Sequence, residues 1–76
     1  MIRDNTIFLN GLENACLGVV FSGQSVYHYD LLVDEIMKQR SLTRIEAIAF
    51  VDFNIVNAYL GKCTPIIVYK ALEEDA

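Results

Sequence analysis

The chain has 76 residues, 54% of them hydrophobic, and carries a formal net charge of −4. That length allows a single domain, 1–76, and so small a body buries only about 60% of the surface its unfolded form exposes, so it needs a disulfide, a metal or self-association to help it. Six basic residues against ten acidic ones leave no basic footprint for nucleic acid, and no apolar run nears the roughly 18 residues that a membrane-spanning helix requires.

Two of the three helpers are poorly supported. Cys16 and Cys63 show no CxxC spacing, and His28 is the one histidine, so a zinc site built from Cys and His is out of reach for one chain. No metal or cofactor is expected. The scattered glycines draw no phosphate-binding loop, and nucleotide is not expected either. The chain shows no charged-then-apolar leader, which points to a reducing cytoplasm where Cys16 and Cys63 behave as small hydrophobes. Self-association is left, and a homodimer is the expected state.

In chain order, residues 1–6 read as a loose polar arm. From Leu9 the apolar residues Leu9, Leu12, Cys16, Val19 and Val20 recur at helical spacing and predict a first helix, started near Thr6 or Asn10 and ended by Ser22-Gly23-Gln24. The competing reading is a strand through Leu17 to Phe21, since Val19-Val20-Phe21 is β-branched and aromatic. Ser25 to Tyr29 alternates and predicts a short extended segment. A second helix starts at Tyr29 or Asp30, with Leu32, Val33, Ile36 and Met37 as its apolar stripe and Asp34 to Lys38 as an acid-to-base pair one turn apart.

Thr43 followed three residues later by Glu46 predicts a capping box at the start of a third helix running to Tyr59. At 100° per residue, Ile45, Ile48, Ile55, Val56 and Tyr59 form one broad face, extended by Phe53 and Leu60. This helix is expected to be the spine of the core. Asp52 falls inside the apolar arc, which aims a carboxylate inward, whereas Glu46 and Asn57 lie opposite. Gly61 can cap the helix and Pro65 stops its resumption. Ile66 to Tyr69 then reads as a strand, paired either with Val26 to Tyr29 or with its own copy in a second chain. An acidic tail, 71–76, closes the chain. The expected fold is α+β: three helices with the third central, and a short β element near 26–29 and 66–69.

Three groups of residues are candidates for function. Asp52 with Asn54 offers either a buried carboxylate able to act as a base or clasp an arginine, or a structural group bonded to the loop at Tyr27 to Tyr29. With Thr43 and Glu46 they form the set expected to be buried or structural. Tyr27, His28 and Tyr29 offer a recognition patch, although alternation would turn both tyrosines inward and leave His28 outside. Phe50, projecting between Glu46 and Asn57, offers an anchor for a partner unless the first helix covers it. Phe50 and Asn57 join the three rings as candidate partner-binding residues.

Tyr27-His28-Tyr29-Asp30, Leu42-Thr43-Arg44-Ile45-Glu46-Ala47, Asp52-Phe53-Asn54, and Ala58-Tyr59-Leu60-Gly61 with Thr64-Pro65, taken in that order, resemble a family of short proteins of tailed phages and mobile elements. The resemblance spans about residues 9 to 69. It implies a phage or mobile-element origin and a small α+β domain, and brings no assigned activity. His28 departs from the acidic residue common at that place in the family. Together these readings predict a non-enzymatic protein-interaction module, self-associating and acting on a host protein or defence system in the host cytoplasm. An acid/base enzyme using Asp52 and His28, and an acidic mimic of nucleic acid, are the alternatives.

Overall fold

Why the chain opens on a hairpin before its helices follows from its first twenty described residues. The structure, a computed structural model, describes residues 6–58 and 60–69. Leu12 N–H bonds the Leu9 carbonyl, a single 3-10 turn covers Glu13–Ala15, and the chain then straightens into strand β1, Cys16–Val19. Strand β2, Ser25–His28, returns antiparallel to it. The expected first helix is therefore absent, and the competing strand reading is the one realised.

The hairpin connection explains the outcome. Gly23 sits at φ +96°, its N–H bonds the Val20 carbonyl at 2.8 Å, and the Val20 N–H bonds the Gln24 carbonyl at 2.9 Å. A three-residue loop with glycine in the left-handed position is a favoured way to reverse a hairpin. Gly23 thus caps a hairpin, where a helix end was expected. Cys16 faces Tyr27 and Gly18 faces Val26, which leaves Leu17 as the extra residue of a β-bulge. Gly18 takes φ +147°, a backbone that only glycine adopts cheaply.

Helix α1, Tyr29–Arg40, follows β2 directly and buries Leu32, Val33 and Ile36. It ends at Ser41 in the left-handed conformation, φ 55°, with the N–H groups of Ser41 and Leu42 both on the Met37 carbonyl. The acid-to-base pair expected between Asp34 and Lys38 is replaced by others. Lys38 approaches Glu35 at 3.8 Å, and Arg44 reaches Asp34 at 3.3 Å and Asp30 at 3.6 Å. The two Arg44 pairs are half exposed and Lys38 is open to solvent, so these pairs contribute little.

Helix α2, Arg44–Val51, opens on the expected capping box: the Glu46 N–H bonds Thr43 Oγ1 and the Thr43 N–H bonds the Glu46 carboxylate. Both side chains are at the surface. The α-helix then stops at Val51, eight residues before the expected end, and passes into a π-helical turn, Asp52–Val56. Asn54 Nδ2 donates to the Phe50 carbonyl at 3.1 Å. The amide side chain thereby takes the carbonyl that the α-helical ladder would give to the residue's own N–H. Tyr59 lies outside the described residues.

Strand β3, Ile66–Val68, completes the sheet in the order β1-β2-β3, parallel to β2 with Val26 facing Ile66 and His28 facing Val68. The fold is α+β with two helices and a three-stranded sheet, which corrects the three-helix expectation. Residues 6–9 run along β2: Ser25 Oγ donates to the Ile7 carbonyl at 2.6 Å, and the Leu9 N–H donates to Tyr27 Oη at 2.8 Å. Thr6, expected in the loose arm, donates its hydroxyl to the Gly23 carbonyl at 2.7 Å; residues 1–5 and the acidic tail lie outside the described residues.

The core joins Leu12, Ala15 and Tyr27 to Leu32, Val33 and Ile36 of α1 and to Ala47 and Val51 of α2. On α2 this buried line differs from the expected spine. Ile45 is 80% exposed and Phe53 79%, while Ala47 and Val51 are sealed. Two helices approach most closely where a small side chain stands between them, and Ala47 allows that approach. The helix is rotated accordingly, and Asp52 comes out on the solvent side together with Ile45, Ala49 and Phe53. Asp52, Asn54, Thr43 and Glu46 are all exposed, not buried.

Candidate functional site

The π-helical turn brings two features together. Its first residue, Asp52, accepts a hydrogen bond from Tyr29 Oη at 2.7 Å. Tyr29 stands there because it opens α1 at the end of the central strand. On its other side the Tyr29 ring stacks on Tyr69, centroids 4.7 Å apart and planes inclined by 23°. Tyr69 itself follows β3 and is 54% exposed.

The electrostatics follow from the hydrogen bond. The Asp52 carboxylate accepts a hydrogen bond from the protonated Tyr29 hydroxyl, partial burial adds to this, and the carboxylate would repel a phenolate, so the phenol is pushed up to about 12. Tyr27 is also raised, by burial, although the Leu9 N–H on its oxygen works in the opposite direction. Asp52 takes part in no ion pair among the described residues.

The same turn walls a cleft of about 110 Å³. Asn54 and Ile55 of the turn, Ala58 after it, Leu60 and Pro65 of the connection, Ile67 of β3 and Leu9 of the N-terminal segment line it. Gln24 Nε2 bonds the Thr64 carbonyl at 2.9 Å, which ties that connection to the hairpin. Leu60 and Thr64 close the loop on themselves, with the Leu60 N–H on Thr64 Oγ1 at 2.7 Å. The cleft is held from several directions by hydrogen bonds and apolar contact, and its chemistry is that of an apolar receptor with one amide at its edge.

The predicted site residues fall in different places. Asp52, Asn54 and Tyr29 converge on the π-helical turn. Tyr27 does not reach the surface, being fully buried with its hydroxyl on the Leu9 N–H. His28 is half-buried where a solvent-facing ring was expected, and its Nδ1 is enclosed with no hydrogen-bond partner among the described residues. No hydrogen bond or ion pair joins it to Asp52 among the described residues. Phe50 is half-buried against the core under the Arg40 guanidinium, 4.3 Å from the ring centroid, so it is covered from α1 and not by a first helix. Asn57 is exposed just after the turn.

Sequence reasoning missed Leu9, Leu60, Pro65, Ile67 and Tyr69 as site residues. The signal available was Thr64-Pro65 ahead of a β-branched run: proline fixes the entry to the strand, and the cleft forms beside it. Cys16 and Cys63 are free thiols, Cys63 buried. Among the described residues no group of three or more His, Cys, Asp or Glu could hold a metal ion, and no helix is long and apolar enough to cross a membrane. No family model, curated protein or solved structure matches the chain.

Proposed function

We propose that this chain is a small non-enzymatic protein-interaction module that self-associates as a homodimer. The observation that carries the reading is the outward face of α2 and its continuation. Ile45, Ala49 and Phe53 stand one turn apart along it, all exposed, the two large ones at 80% and 79%. They span about 12 Å of helix, long enough for two copies to pack face to face. A helix of a lone monomer turns its apolar stripe inward, and a second stripe on the opposite side favours a partner. The further reading, a phage or mobile-element product acting on a host protein, rests on the family resemblance and not on this face.

Sedimentation velocity tests the dimer. The expected mass is twice the 8.6 kDa of the chain, and Phe53→Glu is expected to restore the monomer without changing the circular dichroism spectrum. A wild-type mass of one chain at every concentration tried would refute the dimer.

A further inference from the structure

We propose that Asn10 is a site of self-modification, where the Gly11 backbone nitrogen displaces ammonia from the asparagine side chain at a rate set by a clamp from α1. Asn10 is the one asparagine of the chain followed by glycine, so no β-carbon stands beside the attacking nitrogen. It is exposed, and its side-chain amide makes no hydrogen bond among the described residues. The other described asparagines are held back. Asn14 donates to the Glu35 carboxylate at 3.4 Å, and Asn54 to the Phe50 carbonyl at 3.1 Å. Asn57 is as exposed as Asn10, but an alanine follows it, and the Ala58 N–H is committed to the Ile55 carbonyl at 3.2 Å.

The step needs only water. The Gly11 nitrogen gives up its proton and bonds to Asn10 Cγ, the Cγ–Nδ2 bond breaks, and the amide group leaves with that proton as ammonia. Water then opens the cyclic imide at either carbonyl, with no change of oxidation state. Opening at Cγ leaves an aspartate. Opening at the backbone carbonyl leaves an isoaspartyl linkage, which carries an extra carbon in the main chain.

The fold sets the rate. The Leu12 N–H bonds the Leu9 carbonyl at 3.1 Å across Asn10 and Gly11; Gly11 takes φ +83°, whereas Asn10 keeps a negative φ. That combination is a type II turn, in which ψ of the second residue lies near about +120°. At this angle the Gly11 nitrogen points away from Asn10 Cγ, and attack requires the intervening peptide to swing round. Two contacts pin Gly11 against the swing. The Glu13 carboxylate accepts from its N–H at 3.4 Å, and Gln39 Nε2 of α1 donates to its carbonyl at 2.6 Å. The product matters to the core, because Leu12 and Ala15, both sealed in it, follow at once, and the extra carbon of the isoaspartyl form lengthens the path that leads them there.

The test is peptide mapping by mass spectrometry of the full chain incubated in mildly alkaline buffer, with isoaspartyl methyltransferase labelling to count that product. Asn10 is expected to convert to aspartate and isoaspartate, faster as pH rises, while Asn14, Asn54 and Asn57 stay intact over the same interval. Gln39 is exposed, so Gln39→Ala is expected to keep the circular dichroism spectrum. Loss of one hydrogen bond that must open before attack should speed conversion about fivefold, and unfolding the wild-type chain in urea should speed it further. Asn57 converting ahead of Asn10, or Asn10 left intact in the unfolded chain, overturns the site. Equal rates in wild type and Gln39→Ala, or in folded and unfolded chain, overturn the clamp.

Discussion

Truncating Val51 measures whether α2 is oriented as described. The side chain is sealed in the core, and Val51→Ala removes two carbons from it. At about 0.8 kcal/mol per buried methylene the transfer term is about 1.6 kcal/mol, and the space left behind raises it to about 2–3 kcal/mol. Better helix propensity of alanine returns about 0.5 kcal/mol, leaving about 2 kcal/mol. For a domain of this size that lowers the midpoint of thermal unfolding by roughly 8–16 °C. Phe53→Ala, a larger truncation at a residue 79% exposed, is expected to stay within about 0.5 kcal/mol in the monomer. Circular dichroism melts at a concentration where the chain is monomeric read both. Equal losses for the two variants, or a larger one for Phe53→Ala, would refute the assigned orientation of the helix.

Removing the capping box by Thr43→Ala is expected to cost about 1 kcal/mol in the same melts, and no loss would mean that the two hydrogen bonds at the start of α2 are not formed in solution. The Tyr29 phenol predicts a pH effect: its stabilisation is complete below the ordinary value of 10.0 and is lost as pH rises through about 12. The stability difference between wild type and Tyr29→Phe should therefore be constant below pH 10 and shrink above it. Ultraviolet titration of the tyrosinate band should show one phenol moving back toward 10 in Asp52→Ala, which removes the acceptor, and an unchanged titration would contradict the hydrogen bond.

The parts of the fold legible in the sequence are those where a side-chain pattern and a backbone signal agree. For α1 the stripe of Leu32, Val33 and Ile36 coincides with its buried residues, and for α2 the Thr43–Glu46 pair marks the start. Ile66 to Tyr69 reads as a strand with two possible partners; it forms over Ile66–Val68 and pairs within the chain. The first helix failed because Leu9, Leu12, Cys16, Val19 and Val20 fit a helical period equally well as a turn followed by a bulged strand. Gly18 and Gly23 decide the matter through backbone angles that no periodicity reports. The face of α2 failed for another reason. Weighting by size put Ile45 and Phe53 inward, whereas packing against α1 favours the small Ala47, and the pattern of large residues then points the wrong way.

The site was legible in part. Asp52 stood out as an acid in an apolar stretch, and its bond to Tyr29 falls at the loop the sequence nominated, although the carboxylate is exposed. The π-helical turn gave no signal of its own, since a single asparagine taking the Phe50 carbonyl is invisible in hydropathy. The cleft was hidden because its lining comes from four separated stretches, 9, 54–58, 60–65 and 67.

The parallel pairing of the central and last strands has a consequence for how the chain is made. Val26 and Ile66 are 40 positions apart (66 − 26), and the hairpin closes in microseconds once synthesised. At about 5–20 residues per second, the ribosome needs about 1–3 s to go from the end of α2 to Ile66. Throughout that interval the nascent chain holds a bare edge of Val26, Tyr27 and His28 open to whatever strand arrives first. A strand made well after the hairpin, Ile66–Val68, is thus the one that covers this edge and withholds it from aggregation.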